Sequence, residues 1–122
     1  MKPRILIADD ESSIVMALEF LFRQQGYDVE TVSDGGAVIE RIRASRPDLV
    51  VLDVMLPNRS GFDLCRSLRA DPGTAALRIV MLTAKGQRAE ADAGLAAGAD
   101  AYITKPFGTH ELIDTVRALL AR

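Results

Sequence analysis

Cysteine, histidine and long apolar runs are all scarce in this chain, and each scarcity removes a class of answer. Cys65 is the single cysteine among 122 residues, which excludes an internal disulfide and any cysteine-based zinc cluster. His110 is the single histidine, with no cysteine or second histidine to share a metal, so neither a metal ligand nor a phosphohistidine is a good reading of it. An excess of one charge is also lacking: 15 basic residues face 17 acidic ones, for a net charge of −2. That balance leaves no electrostatic footprint for direct nucleic-acid binding. Met1-Lys2-Pro3-Arg4 is a basic start, yet the apolar run after it, Ile5 to Ala8, is too short for a signal-peptide core. No segment approaches the length needed to span a membrane, so the expected location is the cytoplasm. Linkers, repeats and low-complexity stretches are absent as well, and residues 1–122 read as one domain. What is present, 48% apolar and 26% charged residues, is the composition of a soluble globular protein and not of a disordered one.

The chain is organised around Leu49-Val50-Val51-Leu52-Asp53. Four successive aliphatic residues without polar alternation suit a strand buried on both faces, as in a parallel sheet covered by helices. Similar short runs occur at Ile5–Ala8, Val29–Val32, Ile79–Leu82 and Ala101–Thr104. Helical spacing appears between them. Ile14, Leu18, Leu21 and Phe22 share a face that Gly26 closes, with Ser12 and Ser13 placed as candidate caps. Ser33-Asp34 caps a second helix carrying Val38, Ile39 and Ile42, which Arg46-Pro47-Asp48 breaks. Phe62, Cys65 and Leu68 mark a third, ended by Asp71-Pro72-Gly73, and Cys65 on that stripe is a packing residue. An alanine-rich fourth runs over 87–97 to Gly98. The fifth carries Leu112, Ile113, Val116, Leu119 and Leu120, with Glu111 in its first turn. Five strand–helix alternations predict an α/β fold, a doubly wound five-stranded parallel sheet with helices on both faces.

In such a sheet every strand ends at the same rim. The residues just past the apolar runs are Asp9 and Asp10, then Asp53, Thr83 and Lys105. In the strand order 2-1-3-4-5 the first and third strands are neighbours, and the crevice at that reversal is where ligands bind. Carboxylates gathered in one cleft repel each other and need a counter-charge. Oxygen ligands without nitrogen or sulfur suit a hard cation, and magnesium is favoured because it keeps waters that a phosphate can displace. Lys105 adds an ammonium and Thr83 a hydroxyl donor, which together with the metal would stabilise a phosphoryl group. Asp53 is then the nucleophile, since an aspartate can form an aspartyl-phosphate.

The acidic pair Asp9-Asp10, Asp53 after an aliphatic strand, Thr83-Ala84 and Lys105-Pro106-Phe107 resemble the signature of receiver domains of two-component response regulators, along the whole chain. The resemblance implies a flavodoxin-like fold of the chemotaxis-regulator kind. It implies Asp53 as phospho-acceptor, Asp9 and Asp10 as the magnesium pair, and a Met55 backbone carbonyl as a further ligand. Lys105 is expected to contact the phosphoryl group, through a cis bond to Pro106. Thr83 and Tyr102 resemble the switch pair that alters the face of helix 4, strand 5 and helix 5. The phosphoryl donor is expected to be a sensor histidine kinase or phosphotransfer protein. The recipient is a downstream effector or an output domain outside this chain, and a phosphorylation-dependent homodimer is compatible with both. Such a domain is a signalling module, not an enzyme acting on separate substrates. Met55 and Lys85 occupy positions that vary in the family and tune hydrolysis, so the phosphoryl lifetime stays open.

Two other readings start from the same residues. A haloacid-dehalogenase-like phosphatase also uses a strand-end aspartate beside magnesium, but it places a general acid two residues on, where this chain has Met55. A nucleotide- or flavin-binding module would want a glycine-rich loop after the first strand, where Asp9-Asp10-Glu11 would repel a phosphate.

Overall fold

The computed structural model describes residues 2–84 and 96–122. Among these the elements run β1 (Arg4–Ala8), α1 (Ser12–Gln24), β2 (Asp28–Val32), a 3-10 turn (Gly35–Ala37), α2 (Val38–Ser45), β3 (Leu49–Asp53), α3 (Gly61–Ala70), β4 (Arg78–Ala84), β5 (Ala101–Lys105) and α4 (Thr109–Leu120). Apart from its last two positions, the helix expected over 87–97 lies outside the described residues. The helix expected fifth is therefore α4. All strand pairs are parallel, in the order β2-β1-β3-β4-β5, which is the doubly wound arrangement the sequence predicts.

Strand alternation divides the core into two layers. Leu6, Ala8, Val50, Leu52, Ile79 and Met81 face one side, where α2 contributes Val38 and Ile42 and α3 contributes Leu64, Cys65 and Leu68. Ile5, Ile7, Leu49, Val51, Val80, Leu82 and Ile103 face the other, against Leu18 and Phe22 of α1 and Leu112, Val116 and Leu119 of α4. β3 is buried along its whole length, so its apolar run is explained by two covered faces. Cys65 is fully buried, and burial pushes its thiol pKa up, which makes it a packing residue and not a reactive one.

Helix ends follow local chemistry. Ser60 accepts a hydrogen bond from the Asp63 N–H and starts α3, and Asp34 accepts one from the Gly36 N–H and starts the 3-10 turn. Gly26 follows α1 with φ +87°, as the C′ expectation requires. The expected capping of α1 by Ser12 or Ser13 is corrected: both lie inside its first turn, and the N-cap position is Glu11, without a side-chain cap. The reason lies one step earlier. Asp9 Oδ1 accepts from the Glu11 N–H at 2.9 Å, so the chain turns on an aspartate that also faces the rim.

Truncating Leu52 to Ala would empty a fully buried position between β3 and the α2–α3 layer. A loss of about 2–5 kcal/mol is expected in a urea melt, at unchanged m-value.

Candidate functional site

The strands deliver their polar residues to one edge. Asp53 is the last residue of β3, and Asp9 and Asp10 follow β1, its neighbour in the sheet. Carboxylate oxygens of Asp9, Asp10 and Asp53 all lie within 4.8 Å of one another. Asp9 and Asp53 are buried, at 1% and 4% exposure, while Asp10 is exposed. Lys105, the last residue of β5, reaches across the rim. Its Nζ lies 3.1 Å from Asp9 Oδ2, 3.5 Å from Asp53 Oδ2 and 3.0 Å from Glu11 Oε1.

The electrostatics follow from that crowding. Burial, then the neighbouring Asp9 charge, raise the Asp53 pKa above the ordinary carboxylate value; Lys105 and the Met55 N–H work against them without prevailing. The Met55 N–H donates to Asp53 Oδ1 at 3.2 Å. Burial works to lower the Lys105 pKa, but hydrogen bonds to Glu11 and Asp9 and the charges of Asp53 and Asp9 raise it on balance, so the ammonium stays charged at neutral pH. Three carboxylates sharing one side of the cleft, with no nitrogen or sulfur donor among them, form a donor set that fits magnesium. A cleft of about 460 Å³ opens beside this cluster, lined by Asp9, Asp10, Ser12, Asp34 and Arg41 among others. A larger one of about 560 Å³ lies at the opposite edge of the sheet, around Arg46, Asp48 and Arg78, and contains none of these groups.

The backbone after Asp53 is held tightly. The Val54 N–H donates to the Leu82 carbonyl at 3.0 Å, and the Gly61 N–H returns to the Val54 carbonyl at 2.9 Å. A Cβ on Gly61 would stand 2.5 Å from the Asp53 carbonyl oxygen, so only glycine lets α3 begin this close to the end of β3. Met55 is 72% exposed, and a thioether there offers no acid to a leaving group.

Thr83 is buried near the end of β4, in the register position beside Thr104. Tyr102 is half-buried, opposite Met81 in the register, and packs on the α2–α3 side of the sheet. Thr83 is two residues from Met81, so alternation puts it on that same side. The Lys105–Pro106 bond is cis. His110 lies in the first turn of α4, and Lys85 lies outside the described residues. Of the residues named from sequence, the structure brings Asp9, Asp10, Asp53 and Lys105 into one cluster and sets Thr83 and Tyr102 on adjacent strands beside it. The sequence reading missed Glu11 as a partner of Lys105; an exposed third acid in a row carries no signal that separates it from any surface carboxylate.

A family model described as the response regulator receiver domain matches residues 5–117. The chain is 47% identical over its full 122 residues to the DNA-binding response regulator MtrA of Mycobacterium tuberculosis, covering 52% of that protein. It is 43% identical to the phosphate regulon transcriptional regulatory protein PhoB of Rhizobium meliloti, covering 54%. The chain thus spans about half the length of these relatives. Among solved structures, a putative response regulator from Chloroflexus aurantiacus superposes with a TM-score of 0.97 at 38% identity, each chain covered in full. The BeF3-activated receiver domain of Klebsiella pneumoniae RstA does so with a TM-score of 0.90 at 29% identity, over 98% of this chain and 99% of that one. Matched in sequence and in fold, the chain belongs to the response regulator receiver domain family.

Proposed function

We propose that this domain accepts a phosphoryl group on Asp53 from a histidine kinase or phosphotransfer protein, in a magnesium-dependent reaction, and passes the change on through Thr83 and Tyr102. The observation that carries this reading is the meeting of the Asp9, Asp10 and Asp53 oxygens within 4.8 Å, with the Lys105 ammonium among them. Asp9, Asp10, Asp53 and the Met55 carbonyl would hold the cation. When bound, magnesium supplies a positive charge that offsets the carboxylates and the incoming phosphoryl oxygens. An Asp53 carboxylate oxygen attacks phosphorus; the new P–O bond forms as the bond to the donor nitrogen breaks, and the electron pair leaves with the donor imidazole. Lys105 shifts part of its contact from Glu11 and Asp9 to the phosphoryl oxygens, and Thr83 donates its hydroxyl to another. Tyr102, on the same side of the sheet, follows Thr83 and changes the face around β5 and α4; the helix expected over 87–97 as the rest of that face lies outside the described residues but for its last two positions.

That face is the surface through which such a domain reaches its output. The similarity to DNA-binding regulators of about twice this length supports an output domain that reads DNA, with residues 1–122 as the receiver unit and a cytoplasmic setting. A separate effector protein or a phosphorylation-dependent homodimer would use the same face.

Acetyl phosphate or beryllofluoride with magnesium should modify wild-type protein and leave Asp53→Asn unmodified, as read by intact mass and by shifts of the Thr83 and Tyr102 resonances. Equal modification of both proteins would reject the acceptor. Lys105→Ala should still bind magnesium while Tyr102 fails to report modification of Asp53; unchanged reporting would reject its role.

The charge balance gives a second expectation, free of any phosphoryl donor. Folding raises the Asp53 pKa, so its contribution to stability is fullest below the unfolded-state value and is lost as pH rises through the folded one. Asparagine does not titrate. In chelator, Asp53→Asn should therefore exceed wild type in Tm by a few degrees at pH 7, on the order of 1 kcal/mol, and the gap should close as pH falls through the carboxylate range. A gap that is constant with pH would mean that the carboxylate charge is not its source.

A further inference from the structure

The loop between Asp53 and α3 is fastened from the β2–α2 side by residues that the phospho-acceptor reading does not use. The Gly35 N–H donates to the Pro57 carbonyl at 2.9 Å. Asn58 Nδ2 donates to Asp34 Oδ1 at 2.9 Å, and the same oxygen takes the Gly36 N–H at 2.8 Å. Asn58 has φ +71°, a left-handed conformation in which asparagine is among the few tolerated non-glycine residues. The junction has no slack. A Cβ on Gly35 would stand 2.3 Å from the Arg59 carbonyl oxygen and 2.8 Å from that of Pro57, both backbone atoms.

Hydrogen bonds at Val54 and from the Met55 N–H fix the start of the loop, and the Arg59 N–H closes a turn on the Pro57 carbonyl; the peptide that carries the Met55 carbonyl lies between these points. Met55 is exposed, so its side chain anchors nothing. Val54 and Leu56 are buried on either side of it, which sets the depth of the loop, but apolar contacts are non-directional and leave the peptide planes free to rotate. Hydrogen bonds are directional: β4 and α3 hold Val54, and Asp53 takes the Met55 N–H, while past the Met55 carbonyl the bonds to Pro57 and from Asn58 tie the loop to the β2–α2 side. On the far side Arg59 Nη2 donates to Ser67 Oγ of α3 at 2.7 Å, so the loop is held between two helical elements.

We infer that Asp34, Gly35 and Asn58 form a clasp that orients the 54–60 loop, and with it the Met55 carbonyl, for the divalent cation. They are positioning residues, since none of them belongs to the carboxylate cluster. The inference rests on the phospho-acceptor reading of that cluster. Gly36 provides an internal contrast: a Cβ there would meet Asp34 Oδ1 at 3.3 Å and Asn58 Cβ only at 3.9 Å, with no loop backbone in its way.

Magnesium chloride titrated calorimetrically into the whole chain, well below Tm and without phosphoryl donor, tests the clasp. Gly35→Ala should weaken magnesium binding by about ten-fold, the scale on which the supports of metal ligands act, while Gly36→Ala binds as wild type. Asn58→Gly keeps the left-handed backbone, deletes the amide, and should weaken binding by a smaller factor; it decides the matter alone if circular dichroism shows Gly35→Ala unfolded. Wild-type affinity in both Gly35→Ala and Asn58→Gly would overturn the clasp. So would an equal loss in Gly36→Ala, because general loosening of the turn would then explain everything. Wild-type protein that binds no magnesium would instead sink the phospho-acceptor reading, which makes the two failures distinct.

Discussion

Three carboxylates at one rim, two of them buried, form an arrangement that repels itself, and the ammonium of Lys105 is the counter-charge that makes it tolerable. An ion of either sign taken out of water is unfavourable unless it is paired. Here Lys105 pairs with Asp9, Asp53 and Glu11 at once, one ammonium against three carboxylates, and burial together with the Asp9 charge keeps the Asp53 pKa raised. One positive charge does not saturate the cluster. The residual deficit of positive charge is the physical property that would draw a small divalent cation, and it exists in the protein before any ligand arrives.

The sheet permits that tension because it holds the rim without depending on it. β3 is buried on both faces by two separate apolar layers, and its neighbours β1 and β4 are paired along their length. Local repulsion of about the size of one interaction is small beside the burial of two such layers. Asp48 helps from the other end, accepting the Arg4 N–H at 2.8 Å and donating its own N–H to the Arg4 carbonyl, which fixes how β3 enters beside β1. Strand register, not side-chain attraction, decides that Asp9 and Asp53 arrive together.

This is also why the site was legible in the sequence and its supports were not. A carboxylate or an ammonium placed right after an aliphatic run carries both its chemistry and its address, so Asp9, Asp10, Asp53, Thr83 and Lys105 could be assigned to one edge from strand ends alone. The Lys105–Glu11 pair spans 94 positions and the Asp34–Asn58 bond 24; neither repeats with any period, and each joins distant segments that only packing brings together. Asp34 was readable as a cap, which it is, yet the same oxygen also serves Asn58. Ser12 and Ser13 failed as caps because propensity favours a serine, whereas the turn before α1 is tied by Asp9, whose side chain is already at the rim.

Asp9 therefore does two jobs with its two oxygens. Oδ1 takes the Glu11 N–H and shapes the entry to α1, while Oδ2 lies against Lys105. On the proposed reading, a phosphoryl group on Asp53 competes with Asp9 and Glu11 for the same ammonium. Lys105 ends β5 and Tyr102 lies three residues back on the same strand, so on that reading a change in what Lys105 grips would be felt along β5. The hydroxyl route through Thr83 on β4 runs beside it, one strand away. On that reading two adjacent strands would carry the same event from the rim, one through a charge and one through a hydroxyl, and their agreement would give a sharper signal than either contact alone.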